Sequence, residues 1–365
     1  MVIKNEEYRI LVINPSSIST KIGVFHNKLF ILEKEIVHEM LISRKMVPLF
    51  DQLELRKQAI LETLDEEGIN LSKLNAVVGK GGLLFPIEGG TYTVNDQMLE
   101  DLEMGVNGYH VSNLGAAISF QIATGLNIPA FIVDPLVVDE LQPIARISGM
   151  PHITRKSIFH ALNQKAIARR AAITLERPYE DGNFIVVHMG NEITVGAHKN
   201  GKVIDVNNGL HGEGPFGLTN AGTVPAGDLV NLFTSGDMDQ QEISDYLLSH
   251  GGVVGYLGTN DLNEVEALIS QGNEEAKMVF EAMAYQIAKE IASQAAALVG
   301  KVDAIILTGD LAHCKGLVEK ITRRTHWIAD ILVYPGENEL LSLAEGALRV
   351  LKGEETVKDY NKTKI

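Results

Sequence analysis

Cysteine occurs once in 365 residues, at Cys314. No intramolecular disulfide can form, and zinc sites built from CxxC pairs are excluded. A reducing compartment fits such sparse cysteine usage. No apolar run approaches the ~20 residues needed to cross a bilayer. The opening MVIKNEEYRI carries acidic residues where a signal peptide needs an apolar stretch. A cytoplasmic protein with no membrane partner is therefore expected. Positive charge is in deficit, with a formal net charge of −15, which argues against a nucleic-acid partner. A small anionic ligand is not excluded, because local backbone N–H groups can bind phosphate inside an acidic protein. Two nucleotide signatures are missing. There is no GxxxxGK[ST], so this is no P-loop protein, and no GxGxxG opens a helix after a strand, as a Rossmann site requires.

What is present belongs to an ordinary globular chain, 45% hydrophobic and 22% charged. Its length exceeds the ~250–300 residues beyond which one core stops growing, so two domains are expected. Residues 9–37, RILVINPSSISTKIGVFHNKLFILEKEIV, read as a strand, a polar turn at Asn14-Pro15-Ser16-Ser17, and a hairpin. Residues 184–206, FIVVHMGNEITVGAHKNGKVIDV, repeat that plan. A shift of 174 places Asn14 on His188, Ser16 on Gly190 and Thr20 on Thr194. A repeat this far apart points to two similar domains, since solenoid units are shorter.

Between and after the hairpins, strands alternate with helices. Helices are expected over 48–66, 110–125, 155–176, 273–299, 315–323 and 339–352, with Met278, Phe280, Met283, Ile287 and Ile291 on the inner side of the long one. Short apolar runs at 76–78, 130–133, 302–307 and 331–334 read as strands. This alternation predicts sheets covered by helices. The tail after Lys352 is charged and expected to be loose.

Strand ends carry the candidate site. Asn14, Gly79-Lys80-Gly81-Gly82, Gly190-Asn191 and Gly309 each follow an apolar run. Glycine lets backbone approach a ligand, and consecutive N–H groups make an anion nest. Each alone is ordinary turn chemistry; together they favour a phosphate cradle. Asp134 ends a strand, where a carboxylate could hold Mg²⁺, orient a nucleophile or cap a helix. His160 falls on a helical pattern, where a lone histidine is usually a packing residue, while His188 closes a strand beside Gly190.

The motifs together resemble the acetate and butyrate kinase family. The resemblance rests on ILVINPSSISTK, GKGGLLFPIEGGTY, HVSNLGAA, FIVDPLVVDEL, RKSIFHALNQKAIAR, VVHMGNEITVGAH, DVNNGLHGEGPFG, AMAYQIAKEIA and ILTGDLAH, in family order from about residue 8 to 352. It implies the two-domain, actin-like (ribonuclease H-like) α/β fold, with duplicated mixed sheets flanked by helices and a nucleotide cleft between domains. The domains would span 1–150 and 151–339, with the C-terminal helix, about 340–365, packing back on the first. The implied reaction is reversible phosphoryl transfer from ATP to butyrate or a branched short acid, giving ADP and an acyl phosphate. The implied cofactors are ATP/ADP and Mg²⁺, in a homo-oligomer of two or more chains.

By the same resemblance, Asn14 and Ser16 lie on the first phosphate loop, with Asn14 at the transferred phosphate or its metal. Asp134 orients the carboxylate or the metal, His160 stabilises the transferring group, and Lys80 takes the place of an arginine. His188, Gly190 and Asn191 face the nucleotide phosphates, Gly309, Asp310 and Gly336 the adenosine side, and Glu339 the metal. Departures fall at the same places. Ser16 and Lys80 replace glycine and arginine; Gly190-Asn191-Glu192 replaces a glycine triplet; Leu218-Thr219-Asn220-Ala221-Gly222 lacks the family's arginine; Gly309-Asp310 replaces Gly-Gly. Lysine keeps the charge and loses the bidentate fork. The alternative implied by these losses is a catalytically impaired paralogue that binds nucleotide or another ligand in a regulatory role.

Overall fold

The computed structural model describes residues 7–43 and 47–361. Residues 1–6 of the acidic opening and the last tail residues, 362–365, lie outside them. The chain forms two compact units, Met1–Val138 with Asn338–Ile365, and Asp139–Glu337. Its strands in chain order are β1 (Arg9–Pro15), β2 (Ser19–His26), β3 (Leu29–Val37), β4 (Ala76–Gly79), β5 (Thr91–Thr93), β6 (Ala130–Val133), β7 (Asn183–Met189), β8 (Ile193–Lys199), β9 (Lys202–Val206), β10 (Ala304–Gly309), β11 (Ile331–Pro335) and β12 (Lys358–Asp359).

The first unit holds one sheet in the order β12-β5-β6-β4-β1-β2-β3. Here β1 pairs antiparallel with β2 and parallel with β4, which pairs parallel with β6. The second unit's sheet runs β11-β10-β7-β8-β9, with β7 antiparallel to β8 and parallel to β10, and β10 parallel to β11. The same plan thus appears twice: a hairpin strand at the centre with parallel strands on its other side. Central strands such as β1 and β7 are buried on both faces, which explains their unbroken apolar runs.

The repeat slips by one residue at its turn. Pro15 pairs with Thr20 around Ser16 to Ser19, whereas Met189 pairs with Ile193 around Gly190 to Glu192. The second turn is tighter, so a single shift cannot match both flanking strands. In a strand each residue of slip swaps the face a side chain points to.

Helices cover the sheets. Glu339–Leu351 buries Leu340, Leu343, Ala344, Ala347 and Leu348 in the first unit. It packs so closely on β6 that a Cβ at Gly346 would lie 2.5 Å from Val133. In the second unit Glu274–Ala297 buries Val279, Phe280, Met283, Ile287 and Ile291. Met278, expected on that inner side, is 70% exposed. It stands one residue before Val279, about 100° round the helix from the buried stripe.

Two further expectations change. The helix read over 155–176 is Ala161–Thr174, and His160 sits at its N-cap with φ −77° and ψ 62°. It is outside the helix, free of the helical face that made it resemble a packing residue. The described part of the tail is not loose. Lys358–Asp359 pairs with β5, and Tyr360, 1% exposed, donates its hydroxyl to Asp101 Oδ2 at 2.8 Å. One aromatic anchor outweighs the charge of its neighbours, and burial with the Asp101 bond pushes its phenol pKa upward.

Candidate active site

In the first unit, the C-terminal ends of three parallel strands carry candidate groups: Asn14 on β1, Lys80 after β4 and Asp134 after β6. Glu339 joins them from the first turn of the last helix, which Asn338 caps by accepting from the Leu341 amide at 3.1 Å. The Glu339 carboxylate gathers the neighbours. Asn14 Nδ2 donates to Oε2 at 2.6 Å, and Lys80 Nζ donates to Oε1 at 2.8 Å and Oε2 at 3.0 Å. Asn14, Lys80 and Glu339, far apart in sequence, therefore form one polar cluster.

Asp134 is 1% exposed, and its Oδ1 accepts from the Gly90 amide at 2.7 Å. Its φ of 38° is left-handed backbone, costly for a residue other than glycine. The neighbouring glycine turn has a plainer cause than ligand approach. A Cβ at Gly79 would lie 2.0 Å from the Gly115 carbonyl oxygen, and one at Gly82 would lie 2.4 Å from Asn113 Oδ1. Those glycines serve the close packing of helix Asn113–Leu126.

Arg56, which carried no sequence signal beyond one charge on a helix, is 0% exposed and grips the first turn. Its Nη1 donates to the Ser19 carbonyl at 2.7 Å and Thr20 Oγ1 at 2.9 Å. Nη2 donates to the carbonyls of Ser16 at 3.0 Å and Ser17 at 3.1 Å, and Gln52 Oε1 takes a further bond. Burial lowers its pKa to about 10, so it stays charged at neutral pH. The Ser16 hydroxyl is 2.7 Å from that of Ser19, which ties the same turn together.

In the second unit, the rings of His160 and His188 stack with centroids 3.6 Å apart at 11°. His188 Nδ1 lies 3.0 Å from Asn163 Oδ1 and so carries its proton there. Its Nε2 is 2.8 Å from Glu337 Oε1 but out of line for a hydrogen bond. His160 Nδ1 is 3.0 Å from Thr194 Oγ1, and its Nε2 is 3.9 Å from Glu192 Oε2. Burial raises the Glu192 pKa, opposed in part by its own backbone hydrogen bond and by His188. Glu337, Asn163 and Thr194 escaped the sequence reading as site residues. The turn Gly336-Glu337-Asn338 beside candidate Gly336 was the available signal for the first.

Among the described residues nothing crowds Gly190: a Cβ there would meet its nearest atom, His188 Nε2, only at 3.4 Å. Asn191 beside it is exposed, and its carbonyl accepts from the Thr219 amide at 3.3 Å. Asn220, where the family carries arginine, turns inward: Nδ2 donates to the Gly209 carbonyl at 3.1 Å and Oδ1 accepts from the Gly222 amide at 2.8 Å. Gly309 and Gly336 bridge one another through a 2.9 Å bond, both at positive φ. Gly309 is compelled twice, since a Cβ would lie 2.4 Å from the Met189 carbonyl oxygen. Asp310 follows on the wall of a cavity of about 580 Å³, shared with Leu218, Asp261, Glu266, His313 and Lys315.

Among the described residues, no group of three or more His, Cys, Asp or Glu side chains is arranged to hold a metal ion. Glu339 is already charge-paired with Lys80. Mg²⁺ fits this set in its usual manner, using one or two carboxylates and drawing its other ligands from phosphate and water oxygens. Asn14 on β1, Asp134 after β6 and Glu339 are the first-unit oxygens such an ion would draw on. No helix among the described residues is long and apolar enough to cross a membrane.

Comparison with solved structures places the fold. Acetate kinase from Porphyromonas gingivalis is similar with a TM-score of 0.76 at 20% identity, covering 94% of this chain and 100% of that one. A propionate kinase from Francisella tularensis matches at 0.72 and 19%, over 93% and 98%. Acetate kinase from Entamoeba histolytica matches at 0.72 and 14%, over 93% and 98%. The fold is thus the two-domain actin-like α/β fold, with two mixed sheets flanked by helices, as the family resemblance implied. The Acetokinase family model matches residues 141–325, just over half of the chain. Sequence and architecture agree, and the chain belongs to the Acetokinase family.

Proposed function

We propose that the protein is a short-chain carboxylate kinase of the butyrate or branched-chain type, transferring the terminal phosphoryl group of ATP reversibly to the acid. Family membership supports the reaction class, and the motif resemblance supports the acid class. The observation that carries the reading is the gathering of Asn14 and Lys80 on Glu339, three groups from distant segments. A structural protein has no need to assemble an amide, an ammonium and a carboxylate at strand ends.

A carboxylate is already nucleophilic, so the residues have mainly to position groups and neutralise charge. In this reading Lys80 and His160 stabilise negative charge on the transferring group, and Asp134 orients the acid or the metal. Asn14 and Ser16 meet the transferred phosphate; His188, Gly190 and Asn191 face the nucleotide phosphates; Gly309, Asp310 and Gly336 flank the adenosine. Mg²⁺, held by Asn14, Asp134 and Glu339, supplies charge neutralisation when bound. Glu192, half-buried, has its pKa raised by burial, a direction that lessens its repulsion of phosphate.

Hydroxylamine trapping tests the reading. With ATP and Mg²⁺, butyrate or isobutyrate should give hydroxamate faster than acetate does. Nucleotide-induced stabilisation with no hydroxamate from any short acid would favour the regulatory paralogue instead.

A further inference from the structure

A closed run of buried hydrogen bonds leads to His160 from the interior of the second unit. Tyr179 Oη lies 2.8 Å from His198 Nδ1, and His198 Nε2 lies 3.0 Å from Gln164 Oε1. Gln164 Nε2 donates to the Thr194 carbonyl at 3.1 Å and to Thr194 Oγ1 at 2.9 Å. Thr194 Oγ1 is in turn 3.0 Å from His160 Nδ1. Thr194, Gln164 and His198 are all 0% exposed, so their protons must be accounted for within the chain.

The accounting has one solution. The Thr194 carbonyl can only accept, which fixes the Gln164 NH₂ group on that side and Oε1 toward His198. Oε1 accepts, so His198 bears its proton on Nε2, and its Nδ1 accepts from the Tyr179 hydroxyl. Burial, with Lys165 and Arg169 nearby, holds the His198 pKa well below the usual value, in keeping with a single ring proton. At Thr194, the Gln164 amide donates to the hydroxyl oxygen and cannot take the hydroxyl proton. That proton goes to His160 Nδ1. With the opposite tautomer, Thr194 Oγ1 would accept from both Gln164 and His160 and leave its own proton buried without an acceptor.

Gly196 reports independently that this arrangement is built in. It stands in the interior of β8, where glycine marks a close approach. A Cβ there would lie 2.5 Å from Gln164 Oε1 and 3.4 Å from His198 Nε2. The strand forgoes a side chain at the place the amide occupies.

We propose that Thr194, Gln164, His198 and Tyr179 are positioning residues that fix His160 with its proton on Nε2, making that N–H the donor offered to the transferring phosphoryl group. The last clause rests on the kinase reading; the tautomer does not. Glu192 Oε2, 3.9 Å from His160 Nε2, is the competing cause of the same preference.

Two-bond ¹H–¹⁵N correlation of the full chain with ¹⁵N-labelled histidine reads the tautomer directly, His160 being assigned by its loss in His160→Gln. The expected wild-type pattern is neutral Nε2–H, kept in Thr194→Ser and Glu192→Gln and mixed with Nδ1–H in Thr194→Val. In the carboxylate kinase assay, Thr194→Val should lower kcat about 10–100-fold, by analogy with the loss when a partner that orients a metal-ligating histidine is removed, while Thr194→Ser recovers it. A wild-type Nδ1–H pattern overturns the proposal without any variant. So does a tautomer that responds to Glu192→Gln and not to Thr194→Val. A Thr194-dependent tautomer in a chain that phosphorylates no acid upholds the positioning and refutes only the kinase reading.

Discussion

Lys80 and Glu339 meet at 2.8 Å although 259 positions, including the whole of the second unit, separate them in sequence, one following β4 and the other opening the last helix. Both are partly open, at 23% and 27% side-chain exposure, so the pair contributes at most about 1 kcal/mol to stability. Its location makes it a charge clamp more than a staple. Lys80→Met should lower kcat about 10²–10³-fold, as loss of one preorganised donor does, and leave urea unfolding nearly unchanged. Lys80→Arg should retain or raise the rate. Equal losses of stability and activity in Lys80→Met would make the contact structural.

Arg56 should behave in the opposite way. Its guanidinium satisfies the carbonyls of Ser16, Ser17 and Ser19 from a fully buried position. Arg56→Met takes this partner from the Ser16 and Ser17 carbonyls, while Ser19 keeps the Ser16 amide, and should cost about 1–3 kcal/mol, the range for one buried group left unsatisfied. Urea unfolding at neutral pH measures this. A loss below about 0.5 kcal/mol, within the range of ordinary surface substitutions, would mean that water replaces the guanidinium without penalty.

The sequence revealed the strands of both hairpins and the buried strands near 76–78, 130–133, 302–307 and 331–334, because apolar runs and polar turns are local signals, whereas the short β5 and β12 leave no such run. It did not reveal Arg56, whose charge looked like any solvated helix residue until Ser16 to Thr20 folded over it. The placement of His160 on a helical face fails for a related reason. The helical pattern began upstream of the real N-cap, and helix boundaries depend on capping geometry that residue types only suggest. Gly79 was read as ligand-facing, whereas its neighbour is Gly115, distant in sequence. The one-residue tightening at Gly190 to Glu192 is set by strand pairing and leaves no mark in composition.

His38 gives a pH dependence of stability. Its Nε2 is 2.9 Å from Thr20 Oγ1, and burial, then Arg56, lowers its pKa from 6.5 to about 4. The unfolded chain binds a proton below 6.5 that the folded chain refuses until about 4. Its contribution is therefore full above pH 6.5 and falls as pH drops toward 4, by about 3 kcal/mol at 1.36 kcal/mol per unit. His38→Gln should flatten this slope in denaturant unfolding measured across that window. An unchanged slope would show that His38 protonates without disturbing the fold.

The buried pair Lys165–Glu140, at 2.8 Å with side chains 2% and 4% exposed, is a further stability test. Lys165 Nζ also donates to the Gly201 carbonyl, and Glu140 accepts from the Val203 amide. Glu140→Ala strands a buried ammonium and should cost about 3–5 kcal/mol. Thermal unfolding near the wild-type midpoint would show instead that Lys165 reaches water or loses its proton.

The reverse reaction tests the central claim most directly. Purified wild-type chain supplied with butyryl phosphate, ADP and Mg²⁺ should form ATP, followed by luciferase luminescence, and Asn14→Ala, Asp134→Asn and His160→Gln should each reduce that rate. Absence of ATP from a folded, ADP-binding protein, or undiminished formation in all three variants, would contradict it.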